Sequence, residues 1–159
     1  MHRAELKTSH LACDKLLIIK NLLSLRDRLV KSKKALSVAN AELKTFAKPS
    51  VTNSIDSYTQ QSLEPIKETI TCIESEIRKL IKEDEAFEAQ FQLLISVKGV
   101  GLVIAAALLV YTRAFKAFDN SRKFATYIGL APFGKSSGNS THVPPKVSHL
   151  AHKQLKGLN

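Results

Sequence analysis

Leucine recurs at every seventh position through the first third of the chain, at Leu22, Leu29, Leu36 and Leu43. Further apolar side chains fall three residues after members of this series, at Leu25, Ala39 and Phe46. A seven-residue repeat with apolar a and d positions is typical of a helix that packs along another helix. The sequence therefore predicts a long helix whose a/d seam runs from Leu22 to Phe46.

A second apolar pattern follows, separated from the first by Lys48-Pro49-Ser50. It has three- and four-residue spacing, with Asp84 at a skipped position, and comprises Leu63, Ile66, Ile70, Ile73, Ile77, Leu80, Phe87, Phe91 and Leu94. Because proline interrupts a helix, we expect two helices that fold back as an antiparallel hairpin. Pro65 predicts a kink or a helix that begins near Glu64, and the candidate N-caps are Thr52, Asn53 and Ser54.

The composition favours helices packed on helices. The chain has 159 residues, of which 44% are hydrophobic and only 6% aromatic, with no Trp. A core built from Leu, Ile, Val and Ala suits a mainly α fold. We predict a coiled-coil helical hairpin over residues 1–92 and a small helical domain over residues 93–159. The length of the seam also predicts a homo-oligomer formed through the coiled coil; the alternative is a hairpin that packs only on its own domain.

Cys13 and Cys72 are the two cysteines, and neither has metal-ligand spacing. They predict small buried or half-buried side chains in a reducing cytoplasm. The polar start of the chain does not have the pattern of a signal peptide, and the apolar stretch from Val100 to Tyr111 is too short to span a membrane. We therefore expect a cytoplasmic protein without a membrane partner.

Positive charge is concentrated in the C-terminal part of the chain. The formal net charge is +10, and the segment from Ile95 to Asn159 holds nine Lys and Arg residues against one acidic residue. The first 94 residues hold 15 basic and 13 acidic residues. A basic surface of this kind favours nucleic acid as a partner, with a solvated helix face as the alternative. We predict that nucleic-acid binding lies after Ile95.

Two glycines, Gly99 and Gly101, stand between apolar segments and follow Lys98. This pattern resembles a helix-hairpin-helix, in which a glycine turn before a helix N-terminus exposes N–H groups to a phosphate. Glycine turns between helices are common, so an ordinary turn is the alternative. Further candidate phosphate or RNA contacts are Arg113, Lys116, Arg122 and Lys123, with a basic surface of no fixed contact as the alternative.

The stretch after Lys116 predicts a short capped helix and a share of the core. Asp119, Asn120 and Ser121 are N-cap residues ahead of a helix expected from about Ser121 to Ile128. The aromatic residues of this stretch are interpreted as core side chains rather than base-stacking platforms, and they are Phe115, Phe118 and Phe124.

Three stretches in the C-terminal part resemble one family, and they are Tyr127–Pro132, Ser136–Gly138 and Lys146–Leu150. Together with the preceding glycine turn, they are similar to the C-terminal domain of insertion-sequence transposases related to the Piv DNA invertase. The upstream hairpin resembles the coiled-coil insertion of that family. The resemblance covers nearly the whole chain. It is specific from Leu93 to Leu155 and generic before Leu93.

The resemblance implies a serine nucleophile in a mobile-element recombinase that binds DNA and a guide RNA encoded by the element. The nucleophile corresponds to Ser137, with Ser136 as the open alternative, and Lys135 and Lys146 join the candidate phosphate contacts. Family members also carry a RuvC-like domain whose four acidic residues bind a divalent metal such as Mg²⁺. Without the resemblance, Ser136–Gly138 is interpreted as a flexible polar loop.

The sequence departs from the family pattern at both ends. Met1 leads almost directly into the hairpin, and Ala151-His152 replaces a Gly-Asn pair. We therefore expect the RuvC-like half to come from another polypeptide or to be lost, the serine domain to be shortened, and this chain alone to be inactive. The predicted function is DNA transposition or site-specific recombination. The alternatives are a non-catalytic helix-hairpin-helix module with a coiled-coil dimeriser and a structural coiled coil.

Overall fold

The computed structural model describes residues 2–116, 118, 120, 122–124, 132–133 and 146–147 of the chain, with side chains described from residue 14 except those of 50, 132–133 and 146–147. These residues are mainly helical, which confirms the predicted fold class. The helices and strands, in chain order, are α1 (His2–Phe46), α2 (Pro49–Lys82), α3 (Glu85–Ile95), α4 (Leu102–Tyr111), β1 (Pro132–Phe133) and β2 (Lys146–Val147).

Helices α1 and α2 form the predicted antiparallel hairpin. Three ion pairs join them, and these are Lys15–Glu83 at 3.5 Å, Arg26–Glu74 at 2.6 Å and Lys44–Asp56 at 2.7 Å. The partners on α2 come earlier in the chain as the partners on α1 come later, which fixes the antiparallel direction. Asn40 adds a hydrogen bond from its Nδ2 to Asp56 Oδ1 at 2.6 Å.

The predicted break at Lys48-Pro49-Ser50 is confirmed. Lys48 has extended backbone angles, φ −67° and ψ 148°, because the ring of the following proline disfavours the helical region. Pro49 then occupies the first turn of α2, where its missing N–H costs no hydrogen bond. Lys48 is the N-cap, so the expectation that Thr52, Asn53 or Ser54 caps the helix is wrong.

Helix α2 continues through Pro65, so the expectation of a helix start near Glu64 is also wrong. The pyrrolidine ring removes a hydrogen-bond donor inside the helix, which ordinarily interrupts it. Packing along α1 on both sides of this position supplies the stabilisation that the local sequence lacks.

The face of α1 that contacts α2 differs from the predicted seam. Ile19 and Asn40 are buried, whereas Leu25 is 40% exposed and Phe46 is 88% exposed. The face of α1 that packs on α2 therefore combines the column that starts at Leu22 with the seven-residue column of Ile19 and Asn40, which lies three or four residues away. That column includes Arg26, which is half-buried and whose Nε donates to Glu74 Oε1 at 2.6 Å.

Asp84 divides the second apolar pattern into two helices. Its Oδ1 accepts hydrogen bonds from the backbone N–H groups of Ala86 and Phe87, at 3.0 and 3.2 Å. This is an N-cap, and it explains why the apolar spacing skips this position. Helix α3 then places Phe87 and Phe91 in the buried interior.

A turn over residues 96–101 connects α3 to α4. Gly99 has φ +93°, a left-handed conformation that a side chain disfavours, whereas the φ of Gly101 lies outside that region. Of the two glycines, only Gly99 is required by the backbone. Ala105 and Ala106 of α4 are fully buried.

The chain divides into two compact units, Met1–Ala106 and Ala107–Asn159. In the second unit, Leu109, Val110 and Ala114 are buried. Because the division falls within α4, it does not define a domain boundary, and the boundary predicted between residues 92 and 93 stays a prediction.

Strands β1 and β2 pair antiparallel, with Pro132 opposite Val147 and Phe133 opposite Lys146. The sequence pattern did not predict these strands, because two residues are too few to show alternation.

Candidate nucleic-acid interface

The turn before α4 presents the first predicted phosphate contacts. Lys98 is exposed beside Gly99, and a Cβ placed on Gly101 would meet no atom within 4 Å. Gly101 O accepts the first helical hydrogen bond of α4, from Ala105 N at 2.9 Å. A ligand can therefore approach the backbone at Gly101 without moving any side chain.

The backbone after α4 runs through three consecutive left-handed residues. Arg113, Ala114 and Phe115 have φ values of 51°, 54° and 60°. Each left-handed non-glycine residue costs roughly 1–2 kcal/mol, so the turn needs compensation. Thr112, which is fully buried, supplies part of it: its hydroxyl donates to Leu108 O at 2.7 Å and accepts from Phe115 N at 3.0 Å.

This turn buries one side chain and exposes two charges. Ala114 is 3% exposed, while Arg113 and Lys116 on either side of it are exposed. The sequence predicted both basic residues as contacts, but no glycine marks the turn that positions them. Burial of Ala114 and the hydrogen bonds of Thr112 replace that local signal.

The last described cations lie on a short helical stretch at residues 122–124. Asn120 Oδ1 accepts from Lys123 N at 2.9 Å, which confirms Asn120 as one of the predicted cap residues. Arg122 and Lys123 are exposed. Phe124 packs edge-on against two neighbouring rings, Phe115 at 5.4 Å and Phe118 at 5.6 Å between centroids. All three side chains are half-buried, so their role in the core stays a prediction.

The predicted nucleophile, Ser137, lies outside the described residues, as do Ser136 and Lys135. Lys146 is described only in its backbone, where β2 pairs with β1. In the sequence, both serines lie between β1 and β2, and their assignment as nucleophile stays a prediction.

Six of the 13 basic residues with described side chains between Lys15 and Lys82 have a carboxylate partner. Besides the three pairs between helices, pairs within a helix form at Lys31–Asp27, Lys67–Glu64 and Lys79–Glu76. The hydrogen bond from Lys44 lowers the pKa of Asp56 below its ordinary value, and the amide of Asn40 adds to the effect.

The end of α2 carries cations that the sequence interpretation missed. Arg78 and Lys82 line two grooves, one of about 420 Å³ and one of about 350 Å³. The second, here called the α2–α3 groove, is also lined by Phe91, Gln92, Ile95, Val100, Gly101 and Leu102. Three cations within one helical turn, at 78, 79 and 82, were the available signal.

Further findings concern metals, membranes and thiols. Within the described residues, no group of three or more His, Cys, Asp or Glu side chains is arranged to hold a metal ion. Among the same residues, no helix has the length and hydropathy needed to cross a membrane. Cys72 is exposed, so the expectation of a buried or half-buried thiol is wrong there, and the side chain of Cys13 lies outside the described part.

Residues 91–158 match the transposase family IS116/IS110/IS902. The matched segment begins in α3 and contains the whole set of predicted site residues, from Lys98 to Lys146. This match supports a relation between the chain and IS110-type transposases.

Two curated relatives agree with this match to the IS110-type transposases. They are the pilin gene-inverting proteins of Moraxella lacunata and Moraxella bovis, and each is 28% identical to this chain over 102 residues. The aligned region covers 64% of this chain and 32% of either relative. The chain therefore spans about a third of the length of the curated relatives it matches.

Proposed function

We propose that this chain provides the DNA-binding, serine-nucleophile part of an IS110-type transposase and acts in DNA transposition or site-specific recombination in the cytoplasm. The observation that carries the proposal is the family match over residues 91–158. The relatives are named for inverting a pilin gene, and DNA inversion is a recombination reaction. The exposed cations Lys98, Arg113 and Arg122 lie within the matched segment and suit a phosphate backbone.

The proposed chemistry is an attack by the Ser137 hydroxyl on a DNA phosphodiester. A bond forms between Ser137 Oγ and phosphorus, the bond from phosphorus to one sugar oxygen breaks, and the hydroxyl proton ends on the departing oxygen. A serine hydroxyl needs a group that takes its proton, and His142 is the nearest histidine in sequence. Lys135 stabilises the charge that builds on the phosphate, and Ser136 remains the alternative nucleophile.

The proposed reaction uses a divalent metal that the RuvC-like domain binds. Carboxylate clusters hold Mg²⁺ in phosphoryl-transfer sites. The described residues of this chain do not fit such a cluster. The proposal therefore assigns the metal to the acidic residues of a RuvC-like domain that acts together with this chain, and it includes the guide RNA of the element as a further partner.

Complementation tests the proposal. A separately expressed RuvC-like half, the element's RNA and a donor DNA are combined with this chain, and recombined product and covalent protein–DNA adduct are measured. We expect activity with the wild type and with Ser136→Ala, and loss of both product and adduct with Ser137→Ala. Full activity of Ser137→Ala contradicts the nucleophile assignment, and recombination by the 159-residue chain alone contradicts the need for a second half.

A non-catalytic helix-hairpin-helix module is the second candidate. The observation that favours it is the left-handed Gly99 between α3 and α4, with exposed Lys98 beside it. This candidate predicts DNA binding without any adduct. The adduct measurement therefore separates the two functions.

We also propose a homo-oligomer formed through α1. Ile18, Leu25 and Phe46 belong to one column of seven-residue spacing, and all three are exposed. Exposed apolar side chains on one helical column suit a further helix packed against them. Leu25→Lys combined with Phe46→Lys is expected to reduce the sedimenting mass to that of a monomer; an unchanged mass contradicts this interface.

A further inference from the structure

We propose that the α2–α3 groove binds a single-stranded segment of nucleic acid, with Arg78 and Lys82 at its phosphates and a base against its apolar floor. The inference rests on the proposed function and adds a site to it. It places nucleic-acid contacts before Ile95, on residues that the C-terminal concentration of charge did not indicate.

The residues that line the α2–α3 groove carry positive charge and no negative charge, and Glu83 lines the neighbouring groove together with both cations. Glu74, one helical turn before Arg78, is engaged by Arg26, with 2.6 Å between Nε and Oε1. Within the described residues, neither Arg78 nor Lys82 forms an ion pair, and the residues that line the α2–α3 groove include no carboxylate. Two cations four residues apart on one helix face therefore direct positive charge into the same opening.

The helix dipole of α2 accounts for only part of this charge. Lys82 lies in the last turn, where a cation favours the partial negative charge of the C-terminal carbonyl groups. Arg78 lies one turn earlier, and the effect falls off within the last turn. A guanidinium at this position is well suited to phosphate, because its N–H groups match two phosphate oxygens.

Four of the eight residues that line the groove have apolar side chains. Phe91 is buried, Ile95 is exposed, and Val100 and Leu102 are half-buried; these four are called the apolar floor. The volume of about 350 Å³ falls within the range of small-ligand sites, about 300–1,000 Å³. Cations beside an apolar floor suit a ligand with one flat apolar part and one anionic part.

A nucleotide of a single strand has this combination. Single-strand sites combine a positively charged groove for the backbone with apolar or aromatic surface for the bases. In a duplex the bases are stacked on each other, so that only the phosphates can reach the groove. The floor therefore favours single-stranded over double-stranded nucleic acid.

Gly101 is exposed and lines the groove. A Cβ at this position would meet no atom within 4 Å, and the φ of Gly101 lies outside the left-handed region. The fold therefore accepts a larger residue here, and that side chain would occupy space along the groove. Gly101→Leu changes no charge and serves as a steric test of the same site.

Binding is measured on the full chain by fluorescence anisotropy, over a range of salt concentrations. The probes are a labelled 20-nucleotide single-stranded DNA of mixed sequence and the same sequence as a duplex. The test variant is Arg78→Glu combined with Lys82→Glu. The matched control is Lys20→Glu combined with Lys34→Glu, which makes the same change in net charge at exposed positions of α1.

We expect the test variant to bind the single strand at least about tenfold more weakly, and to lower the slope of log affinity against log salt by about 0.7 for each lost contact. The control is expected to change affinity by less than about threefold, because salt screens distant charges. Gly101→Leu, with unchanged circular dichroism, is expected to weaken single-strand binding.

Three outcomes would overturn the inference. One is an equal loss in the test and control variants, and another is an equal loss of single-strand and duplex binding in the test variant. The third is a wild-type affinity in the test variant while Arg122→Glu combined with Lys123→Glu loses binding, and this result leaves the proposed function intact. A wild-type chain that binds neither probe contradicts the proposed nucleic-acid function as well.

Discussion

The hairpin and the segment after Ile95 use basic side chains in different ways. On α1 and α2, cations such as Lys15, Arg26 and Lys44 each contact a carboxylate across the two helices. After Ile95 the described cations, such as Lys98, Arg113 and Arg122, are exposed, and the segment contains only one acidic residue. The same residue types therefore stabilise packing in one region and are available to a polyanion in the other.

The comparison shows that the partners of a charge are more informative than its count. The first 94 residues contain more Lys and Arg than the remainder does, 15 against nine. Six of the 13 described hairpin cations form ion pairs, and those pairs give little attraction for nucleic acid at a distance. Arg78 and Lys82 are among the seven described hairpin cations that form no ion pair, and both line the α2–α3 groove.

The largest expected effect concerns burial in the hairpin. Ile77 of α2 is fully buried, and Ile77→Ala is expected to cost about 2–5 kcal/mol in the free energy of unfolding, from lost apolar contact and the cavity left behind. Urea unfolding measures it. Ile55→Ala is the matched control on the same helix, at 41% exposure, with a change within about 0.5 kcal/mol. Equal effects would show that the hairpin is not held by this core.

The second prediction tests the difference in charge use directly. Arg122→Glu combined with Lys123→Glu is expected to lower affinity for duplex DNA at least tenfold, which is about 1.4 kcal/mol. The slope of log affinity against log salt is expected to fall by about 0.9 for each lost phosphate contact. Anisotropy titrations at several salt concentrations measure both.

Paired cations of the hairpin provide the control for this charge reversal. Lys31 and Lys67 lie 2.7 and 2.6 Å from their carboxylate partners. Reversing both gives the same change in net charge and is expected to change affinity by less than about threefold, because distant exposed charges are screened. An equal loss in both variants would show that net charge alone governs binding.

The parts of the fold that the sequence predicted correctly depend on the backbone and capping preferences of single residues. Pro49 ends one helix and begins the next, Gly99 takes a left-handed conformation, and Asn120 caps a short helix. The prediction of which face of α1 packs on α2 was wrong, because a leucine column can share the packed face with a second column either three or four residues away. Tertiary packing chooses between them, and it favours the column of Ile19 and Asn40.

The candidate site shows the same limit. Lys98, Arg113, Lys116, Arg122 and Lys123 are exposed as a basic surface requires, and a charged side chain is rarely buried without a partner. The left-handed turn at Arg113 was missed because it depends on the buried Thr112 hydroxyl. Arg78 and Lys82 were missed because a groove between helices requires the packing of α3, which no local pattern specifies.

A third prediction exploits the backbone difference between the two regions. Arg113→Gly and Arg113→Ala both remove the guanidinium, but only glycine tolerates φ 51° without steric cost. The glycine variant is expected to be more stable by about 1 kcal/mol. At the exposed Lys34 in the middle of α1, the same pair is expected to differ by about 1 kcal/mol in the opposite direction, because glycine disfavours helices.

Thermal unfolding of these four variants measures the two differences. The comparison needs no binding data, since each pair removes the same charge. If Arg113→Gly and Arg113→Ala unfold at the same temperature while the Lys34 pair differs, the left-handed turn carries no steric cost. Residues 113–115 would then be free of backbone strain.

The smallest expected effect is the pH dependence of the link between Asp56 and α1. Lys44 and Asn40 lower the pKa of Asp56 in the folded chain below its ordinary value of 3.8. A carboxylate with a lowered folded pKa contributes stability that is present above its unfolded pKa and lost as pH falls through its folded pKa. Wild type is therefore expected to lose more stability than Asp56→Asn on acidification below about pH 4. Urea midpoints at pH 6 and pH 3 measure the difference.

Asp27→Asn is the control, since Asp27 pairs with Lys31 on its own helix; its acid dependence is expected to match wild type. If Asp56→Asn and wild type lose equal stability on acidification, the contact does not couple protonation to the hairpin, and the ion pairs between α1 and α2 set its register without contributing to its acid stability.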